Sequence, residues 1–266
     1  FKVKVEKANY KKYGFIIKKS LLNKSYCNDL VELLKRKKPK FLVPFSKEPI
    51  GYGNLVSNRS FKKIINNKFI NNFVGDLISN EIEFNHLMIA NKPAWIGPDA
   101  EFHQEVYNMK TYAPGYTSKD YKKFMQIFIA LENQTKDNGR LRIIPKSHTL
   151  GELPNEDFLS SSFSHKRRTK QFYLFKAAKK FGVLDVDLKK GDAIFFNHLL
   201  IHGSSNNISS KSRFAIVLQA REKNIKKDQK IFLKETRYRK NFIIKNIKLL
   251  ESKLNTTDKY KDFIKK

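Results

Sequence analysis

Cysteine is almost missing from this 266-residue chain, with Cys27 standing alone. No intrachain disulfide can form and no thiolate cluster can hold a metal, which fits a reducing, cytoplasmic setting. Long apolar runs are missing as well: nothing approaches the roughly 18 residues that span a bilayer. Acidic residues are scarce, 25 against 54 Lys and Arg, which leaves a formal charge of +29. Such a balance favours polyanions through phosphate neutralisation. The cations, however, are mostly Lys spread through nearly every segment. The clusters at 35–38, 165–170 and 223–230 read as solvated faces, and only Phe172 and Tyr173 beside Arg167 and Arg168 suggest the stacking platform of a single-strand channel. Nucleic acid is therefore disfavoured as a partner. What the chain does have is 40% apolar residues, 13% of the total aromatic, far too rich for a disordered polymer and enough to bury a full core.

Residues 10–17 read as an opening strand. Apolar residues at helical spacing predict a helix over 23–37, N-capped by Asn23 or Ser25 and stopped by Pro39, and a second over 61–78. The texture then changes to short strand-like runs at 84–90, 102–107, 124–131, 140–144, 183–188, 193–196, 199–203 and 213–220. Turn residues such as Gly97-Pro98, Asn138-Gly139 and Gly191-Asp192 separate them. Helices first and closely spaced strands after predict a mainly β, α+β chain with a sandwich or jelly-roll core at about 82–222. The polar and then basic stretch 155–181 is long for a connection and is the candidate lid. A Lys-rich helical tail is expected from about 234 to 266.

The chemistry begins at Phe102-His103-Gln104-Glu105. On a strand, residues i and i+2 share a face about 6.6 Å apart, so His103 and Glu105 can converge on one ion while Gln104 points away. Near a hundred residues later, His198 and His202 lie in apolar surroundings. Two histidines and one carboxylate make the facial triad of non-haem iron(II) oxygenases, which leaves positions for a bidentate co-substrate and O₂. Of the two, His202 is favoured by the following Gly203-Ser204 and by its distance from Arg213, eleven places on at the head of an apolar run. A hairpin of that size would bring the Arg213 fork beneath the metal to grip a carboxylate.

Four motifs in order, His103-Gln-Glu, Asn138-Gly-Arg-Leu-Arg-Ile-Ile-Pro-Lys-Ser-His148, Gly191-Asp-Ala-Ile-Phe-Phe and His202-Gly-Ser-Ser-Asn-Asn-Ile-Ser-Ser-Lys-Ser-Arg213, resemble the phytanoyl-CoA dioxygenase family of iron(II)/2-oxoglutarate oxygenases. The resemblance runs from Tyr10 to about Arg221. It implies a double-stranded β-helix (cupin-like jelly roll) and a single oxygenase domain over 1–266. It also implies Fe(II), 2-oxoglutarate and O₂ as cofactor and co-substrates, with C–H hydroxylation and release of succinate and CO₂. By the same resemblance His103, Glu105 and His202 are the iron ligands, Arg213 holds the C5 carboxylate of 2-oxoglutarate, and Ser204 supports it; Gln126 is carried as a further candidate for the co-substrate site. Two departures stand out: Glu105 where Asp is commoner, and Lys146 where the family has Gly, so Lys146 is expected to avoid backbone shapes that only Gly tolerates. A carboxylate ligand disfavours halogenation.

His148 is expected to be structural, and His86 and His165 to lie at the surface or pocket rim. Trp95 and Tyr107 line either pocket or core. The substrate is expected to be a small molecule, an anionic one being favoured by the abundance of cations. The competing readings are a non-catalytic metal-binding jelly roll and an oxygenase acting on nucleic acid.

Overall fold

A computed structural model of the chain describes residues 2–36, 41–42, 49–52, 54–95, 97–107, 115–116, 120–157, 167–226, 228–234 and 237. These fall into two compact units, one comprising Phe1–Tyr107 and Ser118–Ile225 and the other Asn108–Thr117 and Lys226–Lys266. In the second unit the described residues include a link from the Asp228 amide to the Gly115 carbonyl. The expected C-terminal helix falls almost wholly outside the described residues, as do His165 and 158–166 of the candidate lid.

In the first unit the chain opens with helix α1 (Lys2–Tyr13) and strand β1 (Phe15–Lys18), followed by α2 (Lys24–Arg36). The residues expected as one opening strand thus divide: 10–13 close a helix, Gly14 turns the chain with φ +84°, and the strand begins only at Phe15. Asn23 caps α2, its Oδ1 accepting from the Tyr26 amide at 2.8 Å. Short strands β2 (Phe41–Leu42) and β3 (Pro49–Tyr52) precede α3 (Lys62–Ile65) and α4 (Lys68–Leu77). The expected helix over 61–78 is therefore broken, and Asn67 restarts it by capping the Ile70 amide. Strands β4 (Ile82–Lys92), β5 (Ala100–His103), β6 (Phe124–Ala130), β7 (Leu141–Ile143), β8 (Asn155–Asp157) and β9 (Arg167–Thr169) lead to α5 (Gln171–Phe181). The last four are β10 (Leu184–Val186), β11 (Ala193–Asn197), β12 (His202–Ser204) and β13 (Arg213–Glu222).

Seven strands form a large antiparallel sheet in the order β1-β11-β6-β13-β4-β3-β2, and four form a smaller one, β10-β7-β12-β5. This is a cupin-like jelly roll with flanking helices. Every residue of β6 is buried because the strand is covered on both faces. Its odd-numbered Ile127 and Ile129, with Phe195, Ile216, Leu218, Leu87 and Ile89 of the neighbouring strands, pack against Cys27, Leu30, Val31 and Leu34 of α2 and Ile70, Phe73 and Val74 of α4. Those helix positions recur at three- and four-residue intervals, which puts them on one stripe. Phe73 closes edge-to-face on Phe195, centroids 5.3 Å apart, and stacks on Phe69 at 5.5 Å. Even-numbered Phe128 and Ala130, with Ile194, Phe196 and Ala215, face the other way and meet Leu141, Ile143 and Val186 of the small sheet. That second layer is the interior of the jelly roll, so the strand period of two decides which side chains the site can recruit.

The described parts of the candidate lid, 155–157 and 167–181, carry regular structure: β8 pairs with β9, and α5 packs Leu174, Ala177 and Ala178 on Ile144 and Ile201.

Two consequences are measurable. Phe195→Ala removes the ring that joins β11 to α4 and should cost about 3–5 kcal/mol, read as a fall in the urea midpoint. His198, fully buried beside the Phe124 ring at 5.4 Å, is pushed down to a pKa of about 4, first by burial and then by the charge of His202, against the opposing pull of Glu105. Above its unfolded pKa both states are neutral and nothing is gained or lost. Below it only the unfolded chain takes the proton, so stability should fall by about 2 kcal/mol between pH 7 and pH 5 from this group alone. A His198→Phe variant should flatten that slope in urea titrations at the two pH values.

Candidate metal centre

The two histidines meet because β5 and β12 pair: His202 and His103 are Cα partners across the ladder. Their rings lie 4.3 Å apart, tilted by 52°. Glu105 does not stand on the strand as its spacing suggested. β5 ends at His103, and Glu105 begins a helical turn over 105–107. The longer Glu side chain still returns its Oε1 to 3.8 Å from His103 Nε2 and 3.2 Å from His202 Nε2. One ligand atom from each residue lies within 4.8 Å of the others.

Backbone carbonyls fix the rings. His103 Nδ1 lies 2.6 Å from the Glu101 carbonyl and His202 Nδ1 2.9 Å from the Leu200 carbonyl. A carbonyl only accepts, so each Nδ1 carries a hydrogen and each Nε2 is left turned towards Glu105. Burial pushes the Glu105 carboxyl up, but hydrogen bonds and charge from His103 and His202 outweigh it and hold the group well below the usual carboxylate range. Burial and the neighbouring His103 push His202 down, towards the neutral ring, against the pull of Glu105. A carboxylate and two imidazole Nε2 atoms aimed at one point suit a divalent cation, which would take the place of any proton on those nitrogens. Ligand atoms about 2.1 Å from one ion and at right angles are about 3 Å apart, close to the spacings seen.

Gln104, between the ligands, points away as expected, but it is not idle. Its Nε2 donates to the Leu199 and Gly151 carbonyls at 2.6 and 2.9 Å, while its Oε1 accepts from the Leu153 amide and the Tyr107 hydroxyl. The amide thereby ties the end of β5 to the turn that leads into His202. Ser147 works on the same turn, its hydroxyl accepting from the Ile201 amide at 2.8 Å. At Gly203 a Cβ would come 2.7 Å from the Ala100 carbonyl, so a side chain there would push β5 off β12.

Arg213 heads β13, buried to 2% exposure. The chain between His202 and Arg213 is a corner rather than the expected hairpin, since β12 belongs to the small sheet and β13 to the large one. The guanidinium lies 5.6 Å from the Phe128 ring centre and donates to the Gly139 and Asn138 carbonyls at 2.7 and 3.4 Å. Gly139 has φ +76°, and a Cβ there would lie 2.4 Å from the Ser205 carbonyl, which explains why this turn carries Asn-Gly. Burial pushes Arg213 down to about 10, still charged at any physiological pH.

Beside it stands a residue that no motif or spacing singled out. Lys92 is the cross-strand partner of Arg213 and is 7% exposed, its ammonium donating to the Pro98 and Ser205 carbonyls at 2.5 and 2.6 Å. Burial first and the Arg213 charge second push Lys92 well below the usual lysine range, opposed by Asp99. Two buried cations side by side, held by carbonyl dipoles, form a seat for a carboxylate.

The remaining expected residues scatter. Ser204 follows His202 on β12 and borders a cavity of about 350 Å³ with Asp99, Glu101 and Arg142. Gln126 is buried on β6, facing the interior. Tyr107 is core, its hydroxyl bonded to Gln104 and the Leu153 carbonyl, and Trp95 is 67% exposed. His148 is structural, its Nε2 against the Lys11 carbonyl at 3.1 Å. Lys146 adopts the left-handed conformation it was expected to avoid, φ +64°; its ammonium lies 5.6 Å from the Tyr13 ring centre, and its amide donates to the Tyr13 carbonyl. Among the described residues no helix is long and apolar enough to cross a membrane.

The chain is similar to known proteins. The ectoine dioxygenase of Sphingopyxis alaskensis is 26% identical over 147 residues, covering 50% of this chain and 44% of that protein. Phytanoyl-CoA dioxygenase 1 of Oryza sativa subsp. japonica is 33% identical over 129 residues, covering 48% and 40%. The match thus spans less than half the length of either relative. The crystal structure of EctD from S. alaskensis with 2-oxoglutarate and 5-hydroxyectoine has the same fold, with a TM-score of 0.67 at 17% identity over 82% of this chain and 75% of that one. The family model for phytanoyl-CoA dioxygenase matches residues 10–215, a stretch that includes His103, Glu105, His202 and Arg213, and on that match the chain belongs to the phytanoyl-CoA dioxygenase family.

Proposed function

We propose that this chain, acting as a single oxygenase domain, is an iron(II)- and 2-oxoglutarate-dependent dioxygenase that hydroxylates a C–H bond of a small molecule and releases succinate and CO₂. The convergence of His103, Glu105 and His202 within 4.8 Å carries the reading, and the buried pair Arg213 and Lys92 supports it from the co-substrate side. Iron with 2-oxoglutarate supplies, when bound, the oxidising power that O₂ and decarboxylation of the keto acid generate together.

The chain's own residues have separable tasks. His103 and His202 offer neutral nitrogen donors whose second nitrogens are occupied by backbone carbonyls. Glu105 supplies one negative charge and so fills the place that a halide would need. Arg213 takes the far carboxylate of 2-oxoglutarate through its guanidinium, with Lys92 adding charge and Ser204 a hydroxyl. The β8–β9 pair and α5 act as the lid: Thr169 of β9 lies with its hydroxyl 3.3 Å from that of Tyr107, two residues past the ligand Glu105. Covering the centre excludes water from the oxidation. A reducing, cytoplasmic location agrees with the single cysteine, which is buried.

Anaerobic addition of iron(II) and 2-oxoglutarate should give the weak visible charge-transfer band of a chelated keto acid, and His103→Ala should abolish it. A wild-type protein that binds neither iron(II) nor 2-oxoglutarate would sink the enzyme reading and leave a vestigial module. In Arg213→Ala the band should still form, but at about 10- to 100-fold higher 2-oxoglutarate, the loss of one charge-assisted pair. The titration midpoint measures this directly.

A further inference from the structure

The interior face of the large sheet carries one transverse row that neither the metal nor the cationic seat uses. Phe196 of β11 is the partner of Gln126 on β6, Gln126 of Gln219 on β13, and Gln219 of His86 on β4. Phe128 and Ala130 of β6 line the inter-sheet core, so Gln126, two places before Phe128, shares their face. The row begins at the metal: the Phe196 ring lies 4.7 Å from that of His202. It ends within electrostatic reach of the third ligand, because His86 senses the charge of Glu105.

Two buried acceptors at the row stand without a hydrogen-bond partner. Asn85, displaced by the register shift between Gln219 and Ala220, turns its Nδ2 to Gln219 Oε1 at 2.5 Å. That leaves Asn85 Oδ1 and Gln126 Oε1, both buried, with no hydrogen-bond partner, and Gln126 is only 3% exposed. Both atoms are carbonyl acceptors, and what they lack is donors. A buried acceptor is stable only when a donor reaches it. The row holds amides, an aromatic ring and an imidazole, without a Lys or Arg, so it offers no cation to an anionic ligand.

We propose that this row is the substrate wall, and that it selects a compact, uncharged polar molecule presenting N–H or O–H donors to Gln126 and Asn85, in preference to a carboxylate or a bare hydrocarbon chain. The inference rests on the oxygenase reading above and deepens it by naming the substrate class. Gln126 thereby moves from the co-substrate's site to the substrate's.

Three small probes test it on the whole protein loaded with manganese(II) and 2-oxoglutarate, a combination that does not turn over. 2-Pyrrolidinone carries an N–H donor, N-methyl-2-pyrrolidinone has nearly the same shape without it, and butyrate is the anion. Paramagnetic relaxation of the probe protons should be at least about fivefold stronger for 2-pyrrolidinone than for the other two. It should drop to their level in Gln126→Leu and in Gln219→Leu, with manganese affinity by electron paramagnetic resonance unchanged. Equal relaxation by the methylated lactam or by butyrate, or no enhancement for any probe, would overturn the wall, and neither outcome needs a variant to fold. Undiminished enhancement in both variants would overturn it too. Should the wild-type protein bind manganese no better than His103→Ala, the oxygenase reading itself fails and the wall falls with it, a result distinct from a bound metal with an indifferent wall.

Discussion

Two imidazole Nε2 atoms and a carboxylate oxygen, all within 4.8 Å of one another, need a proton or a metal cation among them, and the fold holds them together. The means is a ladder: His103 and His202 are directly paired across β5 and β12. A slip of one residue would send one ring to the far side of the small sheet. Gly203 permits the close approach, and Gln104 and Ser147 tie down the turn before His202 from two sides. The local structure here works mainly through backbone placement, since a ring whose Nδ1 is already bonded to a carbonyl has little freedom left.

The second constraint is the disposal of charge. Arg213 and Lys92 sit side by side inside a layer otherwise lined by Phe128, Ala130 and Ala215. Like charges at that spacing would expel each other in the absence of compensation. Carbonyls of Asn138, Gly139, Pro98 and Ser205 provide it in part, and those carbonyls come from three different loops. The seat is therefore a junction: the turn after β6, the turn before β5 and the corner between β12 and β13 are held in common by two side chains. A dicarboxylate would complete the neutralisation and leave one end for a metal at His103, Glu105 and His202.

Much of this was legible because strand and helix periods mark faces. The α2 stripe of Cys27, Leu30, Val31 and Leu34 and the alternation along β11 and β13 are visible in the residue string, and they locate the layers. The cluster of His103, Glu105 and His202 was legible through spacing and motif order, although Glu105 reaches it from a helical turn rather than a strand. What could not be read were roles that depend on contacts across the chain. Lys92 looks like any other Lys until β13 places Arg213 opposite it. Gln104 and Ser147 serve carbonyls and amides dozens of residues away. Lys146 illustrates the limit of a local rule: the left-handed conformation costs a non-Gly residue about 1–2 kcal/mol, which the bond from its amide to the Tyr13 carbonyl helps to offset.

The formal charge of +29 is the most conspicuous property of the sequence and the least informative about the site. Exposed lysines are screened beyond about 8 Å at physiological ionic strength, whereas a cation inside the jelly roll acts through a medium that screens poorly. A carboxylate placed beside Arg213 and Lys92 would therefore feel their charge in a way that the surface cannot match. The same argument separates the two halves of the interior. Where the chain needs to hold a charged co-substrate it buries charge, and on the transverse row from Phe196 to His86 it buries amides instead, leaving acceptors that distinguish partners by hydrogen-bond polarity. Discrimination of that kind is steep, because a ligand lacking the donor leaves a buried carbonyl unsatisfied, and it is indifferent to salt in a way that recognition by the lysine-rich exterior could not be.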